Sequence, residues 1–190
     1  MQIDINLIKS CISKNRKAQK QLYLLLLPYL RAVANRYLRD TSYVKDVLQE
    51  SFVKVFENID KYDIQKAPFK QWAAKITINN CLNYNKRVIG IPKDELIVEQ
   101  HDTFILPSII KNLSRENLLF VLKQMPEGYF EVFNLYVIDG YAHDEIAQIL
   151  NINEALSRKK LSRARVWLKK TFQGKNDLIV QFSKSSFLQN

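Results

Sequence analysis

Residues 142–154, Ala-His-Asp-Glu-Ile-Ala-Gln-Ile-Leu-Asn-Ile-Asn-Glu, decide how this chain is read. Ile146, Ala147 and Leu150 recur at helical spacing, a turn is expected at Asn151, and Asn153 is placed to cap a second helix. Ala147 is small enough for two helices to cross closely, and Asn tolerates the positive φ that such a turn usually requires. The pattern is that of a helix-turn-helix. Its second helix, Asn153 to about Thr171, is the most basic stretch of the chain: between Glu154 and Lys170 seven Lys or Arg stand against one acid. Alone, a basic helix reads as solvated charge. Behind a short helix and a turn it reads as a recognition helix, whose first turns face base edges while its cations meet phosphates. Ser157 occupies an inward position where an apolar residue is usual, which leaves Leu156 and Leu161 to carry the packing.

Working outward, helical spacing predicts four helices in this part of the chain, at about Ser114–Gln124, Pro126–Ile138, Ala142–Leu150 and Asn153–Thr171. Upstream the periodicity lapses from Val88 to about Asn112, where Gly90, Pro92 and Pro107 intervene and Asp94, Glu95, Glu99 and Asp102 outnumber Lys93 and Lys111. This is expected to be an irregular, acidic linker. Before it, helices are expected from Ile5 to Arg39, from Ser42 to Ile59 behind capping groups at Asp40 and Thr41, and from Pro68 to Arg87. The fold class expected is all-α: two small helical domains, 1–88 and 113–174, joined by the linker 89–112 and followed by a tail, 175–190.

Composition narrows the function. The chain has 190 residues, 47% of them apolar, with only four Gly and five Pro, too few for an all-β sandwich or a glycine-rich phosphate cradle. Lys plus Arg number 29 against 19 Asp plus Glu, a net charge of +10 that points to a polyanionic partner. Cys11 and Cys81 lie far apart with no second thiol or histidine nearby, so neither a disulfide framework nor a metal site is expected. The apolar run Leu22–Leu30 is interrupted by Pro28 and too short to span a bilayer. A cytoplasmic location without membrane insertion is therefore expected. No catalytic set or cofactor motif emerges: His101 falls in the linker and His143 at a helix start, neither with an evident partner.

A second basic segment lies between Ile64 and Lys93, which contains no acid. Lys66, Lys70, Lys75, Lys86 and Arg87 are interleaved there with Phe69, Trp72 and Tyr84. Cations among aromatics suit single-stranded nucleic acid, because bases stack on rings while the backbone follows positive charge. Phe69 and Trp72 at i, i+3 read equally as core residues. Asn79, Asn80 and Asn83 lie within about one helical turn and offer donors and acceptors to exposed base edges.

These motifs, in this order, resemble the extracytoplasmic-function sigma factors of bacterial RNA polymerase. The likeness covers about residues 18–87 and 114–171. Tyr37-Leu-Arg-Asp and Asp46-Val-Leu-Gln-Glu-Ser-Phe-Val-Lys-Val-Phe are similar to the region 2 helix that grips the clamp helices of the largest polymerase subunit. Phe69-Lys-Gln-Trp-Ala-Ala-Lys-Ile, with Asn79 and Asn83, is similar to the element that recognises and melts the −10 element, and residues 145–154 with Leu161-Ser-Arg-Ala-Arg to the region 4 reader of the −35 element. The resemblance implies docking on core polymerase through Asp46, Gln49, Glu50 and Phe52, although Asp46 and Glu50 also fit a plain solvated i, i+4 face. It implies −10 contacts from Lys66, Phe69, Lys70, Trp72, Lys75, Asn79, Asn80, Asn83, Lys86 and Arg87. Asn153, Glu154 and Ser157 would lie nearest the −35 bases, with Arg158, Lys159 and Arg163 on phosphates. A flipped base would enter the loop Asp63–Pro68. Further implied partners are promoter DNA, the flap of the second largest polymerase subunit and an anti-sigma factor. Asn83 stands where the family often has Asp, and Asn151 where it usually has Gly. The alternative is a stand-alone helix-turn-helix regulator that binds duplex DNA without polymerase.

Overall fold

The computed structural model describes residues 3–89 and 115–173. The expected linker, with His101, and the expected tail lie outside the described residues. The chain divides into two compact units, Met1–Ile91 and Pro92–Asn190. Every regular element among the described residues is helical.

Unit 1 holds α1 (Ile5–Ile12), α2 (Arg16–Tyr37), α3 (Val44–Glu57) and α4 (Phe69–Ile89), with 3₁₀ turns at Thr41–Tyr43 and Ile59–Lys61. The helical stretch expected over Ile5–Arg39 divides into α1 and α2 at residues 13–15, where Asn15 Oδ1 accepts from the Lys17 and Ala18 amides at 3.0 and 3.1 Å and starts α2 afresh. Pro28 lies inside α2 but, like Leu24, whose carbonyl it deprives of a helical donor, it is exposed, so water can satisfy that carbonyl. Asp40 Oδ1 accepts from Ser42 N at 2.9 Å, the capping chemistry expected there. The α2, α3 and α4 helices pack together around Leu22, Leu26, Tyr37, Val55, Ala73 and Ile78. Both cysteines are free and buried, and burial pushes the Cys81 thiol up to about 12, so it behaves as a small apolar side chain. Asn85 Nδ2 donates to the Tyr37 carbonyl at 2.9 Å, satisfying one of the acceptors left open at the end of α2.

Unit 2 holds α5 (Arg115–Lys123), α6 (Tyr129–Phe133), α7 (His143–Leu150) and α8 (Glu154–Gln173). The helix expected over Pro126–Ile138 starts later and changes form. Gly128 has φ +80° and precedes α6, and from Asn134 the chain winds as a π-helical turn to Ile138. Asn134 Nδ2 donates to the Phe130 carbonyl at 2.9 Å, a side-chain bond to i−4 at the residue where the winding changes. The α8 helix packs on α6 and α7, burying Leu161, Ala164 and Leu168 against Phe130 and Ile146.

Candidate nucleic-acid interface

In unit 1 the helical phase of α4 sorts its polar residues. Lys75, Asn79 and Asn83 follow one another at i+4, with Lys86 one turn further, and all four are exposed. Gln71 opens the same row and is also exposed, a continuation that the i+4 spacing would have revealed. From Gln71 to Lys86 the row runs along roughly 22 Å of helix. Arg87 is exposed beside it. Asn80 is a correction: it points inward, 4% exposed, with Nδ2 donating to Ser51 Oγ at 3.0 Å and Oδ1 accepting from Lys54 Nζ at 2.6 Å. One residue is about 100° of helix, enough to turn Asn80 away from the face that carries Asn79.

The row begins beside a cleft of about 470 Å³ lined by Ile3 and residues 62 and 64–70, a size that admits a nucleobase. The loop is held open by its own contacts. Tyr62 Oη donates to the Ala67 carbonyl at 3.0 Å, and Asp63 Oδ1 accepts from Gln65 N at 2.9 Å. The Tyr62 ring meets Phe69 edge-on at 4.8 Å and lies 5.6 Å from Trp72. Phe69 is 3% exposed and belongs to the core, as one of its two sequence readings had it, while still lining the cleft; Trp72 is half-buried. Lys66 is almost wholly solvent-exposed at 82%, 3.9 Å from Asp63, and Lys70 sits 5.7 Å from the Tyr29 ring.

The α3 helix presents Asp46, Gln49 and Glu50 to solvent, and Val53, 50% exposed, extends that face. Phe52 is not part of it. It is 5% exposed, its ring 4.4 Å from that of Tyr23, because its place in the helical turn points toward α2.

In unit 2, Asn151 adopts the left-handed conformation expected of it, φ 55° and ψ 52°, at the end of α7. Asn153 Oδ1 accepts from Leu156 N at 2.7 Å and caps α8. The side chains of Glu154, Ala155, Arg158, Lys159 and Ser162 are exposed on α8, and Glu154 pairs with Arg158. Ala155 and Ser162, spaced by seven, flank the two cations and went unnoticed in the sequence because neither carries charge. Two corrections concern the opposite side of α8. Ser157 is wholly buried, its Oγ 2.8 Å from His143 Nδ1, so it locks α8 to α7 instead of facing DNA. Arg163 is 9% exposed with its Nε enclosed, which removes it from the DNA-facing set. His143 therefore has the partner that sequence did not supply. Its ring also stacks on Tyr136 at 4.5 Å, and burial, with the Arg158 charge nearby, lowers its pKa.

Among the described residues no His, Cys, Asp or Glu cluster could hold a metal ion, and no helix is long and apolar enough to cross a membrane.

A two-unit helical protein with a helix-turn-helix in one unit and an acid-free amide and lysine row in the other can be set beside known proteins. Residues 22–88 match the family "Sigma-70 region 2" and residues 115–168 match "Sigma-70, region 4". The ECF RNA polymerase sigma factor SigM of Bacillus subtilis is 29% identical over 143 residues, 73% of this chain and 86% of that protein. The ECF RNA polymerase sigma-E factor of Escherichia coli K12 is 27% identical over 165 residues, 77% of this chain and 84% of that one. Among solved structures, CnrH in complex with the cytosolic domain of CnrY aligns over 90% of this chain and 97% of its own, with TM-score 0.54 at 22% identity. RpoE in complex with the anti-sigma factor NepR from Bartonella quintana aligns over 81% and 96%, with TM-score 0.53 at 20% identity. The chain belongs to the sigma-70 family, in its extracytoplasmic-function group of RNA polymerase sigma factors.

Proposed function

We propose that unit 1 docks on core polymerase and opens the −10 element while unit 2 reads the −35 element as duplex. The observation that carries this is the exposed row Gln71, Lys75, Asn79, Asn83, Lys86 leading from the base-sized cleft at residues 62–70. Amides in a row bounded by lysines give donor and acceptor pairs to unpaired base edges and positive charge to the strand that carries them. A base swung out of the duplex enters the cleft against Tyr62 and Phe69, and Lys66 and Lys70 stand by its phosphates. In unit 2, Asn153, Glu154 and Ala155 open the recognition helix toward base edges, and Arg158 and Lys159 fix the docking pose on phosphates.

Asp46, Gln49 and Glu50 meet the clamp helices of the largest polymerase subunit, unit 2 meets the flap of the second largest, and residues 89–112 form the acidic connection between residues 1–88 and 113–174. The chain moves no electrons and breaks no covalent bond; synthesis belongs to the polymerase. Work on promoters places it in the cytoplasm. An anti-sigma factor is a further partner, since the RpoE neighbour was solved with one.

The test compares promoter binding with and without core polymerase. The full chain alone is expected to bind duplex promoter weakly, and the holoenzyme to bind tightly and render −10 thymines reactive to permanganate. Tight, sequence-specific binding by the chain alone, unaltered by core, would refute the proposal in favour of a stand-alone regulator.

A further inference from the structure

The polymerase-side carboxylate of α3 and the DNA-side helix α4 are joined by an unbroken chain of hydrogen bonds. Glu50 Oε1 accepts from Lys54 Nζ at 2.7 Å, and the same Nζ donates to Asn80 Oδ1 at 2.6 Å. Asn80 Nδ2 donates to Ser51 Oγ at 3.0 Å, and Ser51 Oγ donates to the Val47 carbonyl at 2.6 Å. Glu50 and Lys54 keep 47% and 42% of their side chains in solvent, whereas Asn80 and Ser51 are at 4% and 0%. Within a single side chain the network passes from the surface to the interior.

Two features make this more than an interhelical tie. Asn80 is the sequence neighbour of Asn79 and lies three residues from Asn83, both exposed on the proposed opening face, so whatever fixes the Asn80 amide also fixes the rotation of that face. Lys54 also divides its ammonium between two acceptors, the Glu50 carboxylate and the Asn80 amide oxygen. A polymerase group that binds Glu50 withdraws one acceptor and leaves Lys54 to Asn80. Buried amides are sensitive to such changes, because a low local dielectric strengthens each bond and makes an unmade one costly.

We propose that Lys54 and Asn80 are positioning residues: docking at Glu50 frees Lys54 from the carboxylate, leaves its ammonium anchored on Asn80 alone, and so sets the pose of α4 for strand opening. This rests on the reading above, in which α3 docks and α4 opens DNA.

The experiment uses the full chain with core polymerase saturated, so that docking affinity drops out. Asn80→Leu, Asn80→Asp and Lys54→Met/Asn80→Leu are compared with wild type for thermal midpoint, permanganate reactivity on duplex promoter, and transcription from a promoter with a pre-opened −10 bubble. Asn80→Leu is expected to lose both stability and opening. The double variant removes both members of the Lys54/Asn80 pair, leaving Ser51 its bond to the Val47 carbonyl, and should regain most of the wild-type midpoint, yet stay about tenfold below wild type in duplex opening, a coupling of ordinary size for contacting residues. The pre-opened promoter should return it to the wild-type level. Asn80→Asp keeps an acceptor for Lys54 and should open duplex normally. Wild-type opening by the double variant, equal failure on the bubble, or loss of opening in Asn80→Asp would each overturn the inference. Wild-type holoenzyme that leaves the thymines unreactive sinks instead the reading on which it rests.

Discussion

The two units bury polar side chains in opposite ways. In unit 1 the buried polar set is Ser51, Thr77, Asn80 and Asn85, all neutral, and each makes a defined hydrogen bond. In unit 2 it is Glu131, Asn134, His143, Ser157, Lys160 and Arg163, four of which can carry charge. There Asn134 Oδ1 and Arg163 Nε are enclosed with no hydrogen-bond partner among the described residues, and Gly128 is pressed by Lys160, whose Nζ would lie 2.8 Å from a Cβ at that position. Buried neutral pairs cost little once satisfied, whereas buried ionisable groups tie stability to pH and to neighbouring charge. Unit 1 also encloses Arg36 Nη1 and Arg39 Nε and holds Asn80 with the Lys54 ammonium, so the contrast lies in the buried side chains: none in the unit 1 set titrates near neutral pH, whereas the unit 2 set includes His143.

The strongest test removes a neutral pair from unit 1. Asn85→Leu removes the bond from Asn85 Nδ2 to the Tyr37 carbonyl inside the core, and the expected loss is about 1 kcal/mol, the usual net worth of one intramolecular hydrogen bond. The loss should be the same at pH 7 and pH 5.5. Each unit contains one tryptophan, Trp72 in the first and Trp167 in the second, so urea unfolding of the full chain in Trp167→Phe and Trp72→Phe backgrounds reads the units separately. A cost that varies with pH would break the contrast.

A smaller effect is expected from acid on unit 2. His143 binds its proton more weakly folded than unfolded, because burial and then the Arg158 charge disfavour the imidazolium. The unfolded chain therefore takes up more protons, and stability rises with pH. The His143 contribution is complete above the unfolded value of about 6.5 and is lost as pH falls through the lower folded value. Residues 1–91 contain no histidine, so the Trp167 signal should weaken between pH 7 and 5.5 while the Trp72 signal holds. In His143→Gln the acid sensitivity of unit 2 should shrink; if it persists undiminished, another group carries it.

How much could be read in the sequence follows from how far each partner lies along the chain. Asn151 was legible because a left-handed turn is a property of one residue, and Asn153 because a cap bonds three residues on. Ser157 looked like a defect in an apolar row because its partner, His143, sits fourteen residues upstream on another helix. Asn79, Asn80 and Asn83 form one polar cluster in the sequence, and only the phase of α4, with Ser51 and Lys54 across the interface, divides them. The motif places Phe52 on a docking surface and leaves Phe69 open between DNA and core, yet both sit on the apolar side of their helices. The π-helical turn after α6 left no periodic signal, since Asn134 acts through a single side-chain bond.

The smallest effect separates the two kinds of arginine on α8. Arg158 keeps 64% of its side chain in solvent beside Glu154, whereas Arg163, one and a half turns on, keeps 9% of its surface. Each phosphate of B-DNA that a protein cation neutralises adds about 0.9 to the steepness with which log K falls against log salt. Arg158→Ala in the holoenzyme should therefore flatten the slope for a −35 duplex by about that amount, the share of a single phosphate. Arg163→Ala should leave the slope where it was, because the residue is 9% exposed with its Nε enclosed, and a cation so covered releases no counterion when DNA binds. A titration in which both substitutions flatten the slope equally would mean that α8 turns on DNA to expose Arg163, and the interior of unit 2 would then be part of how it binds.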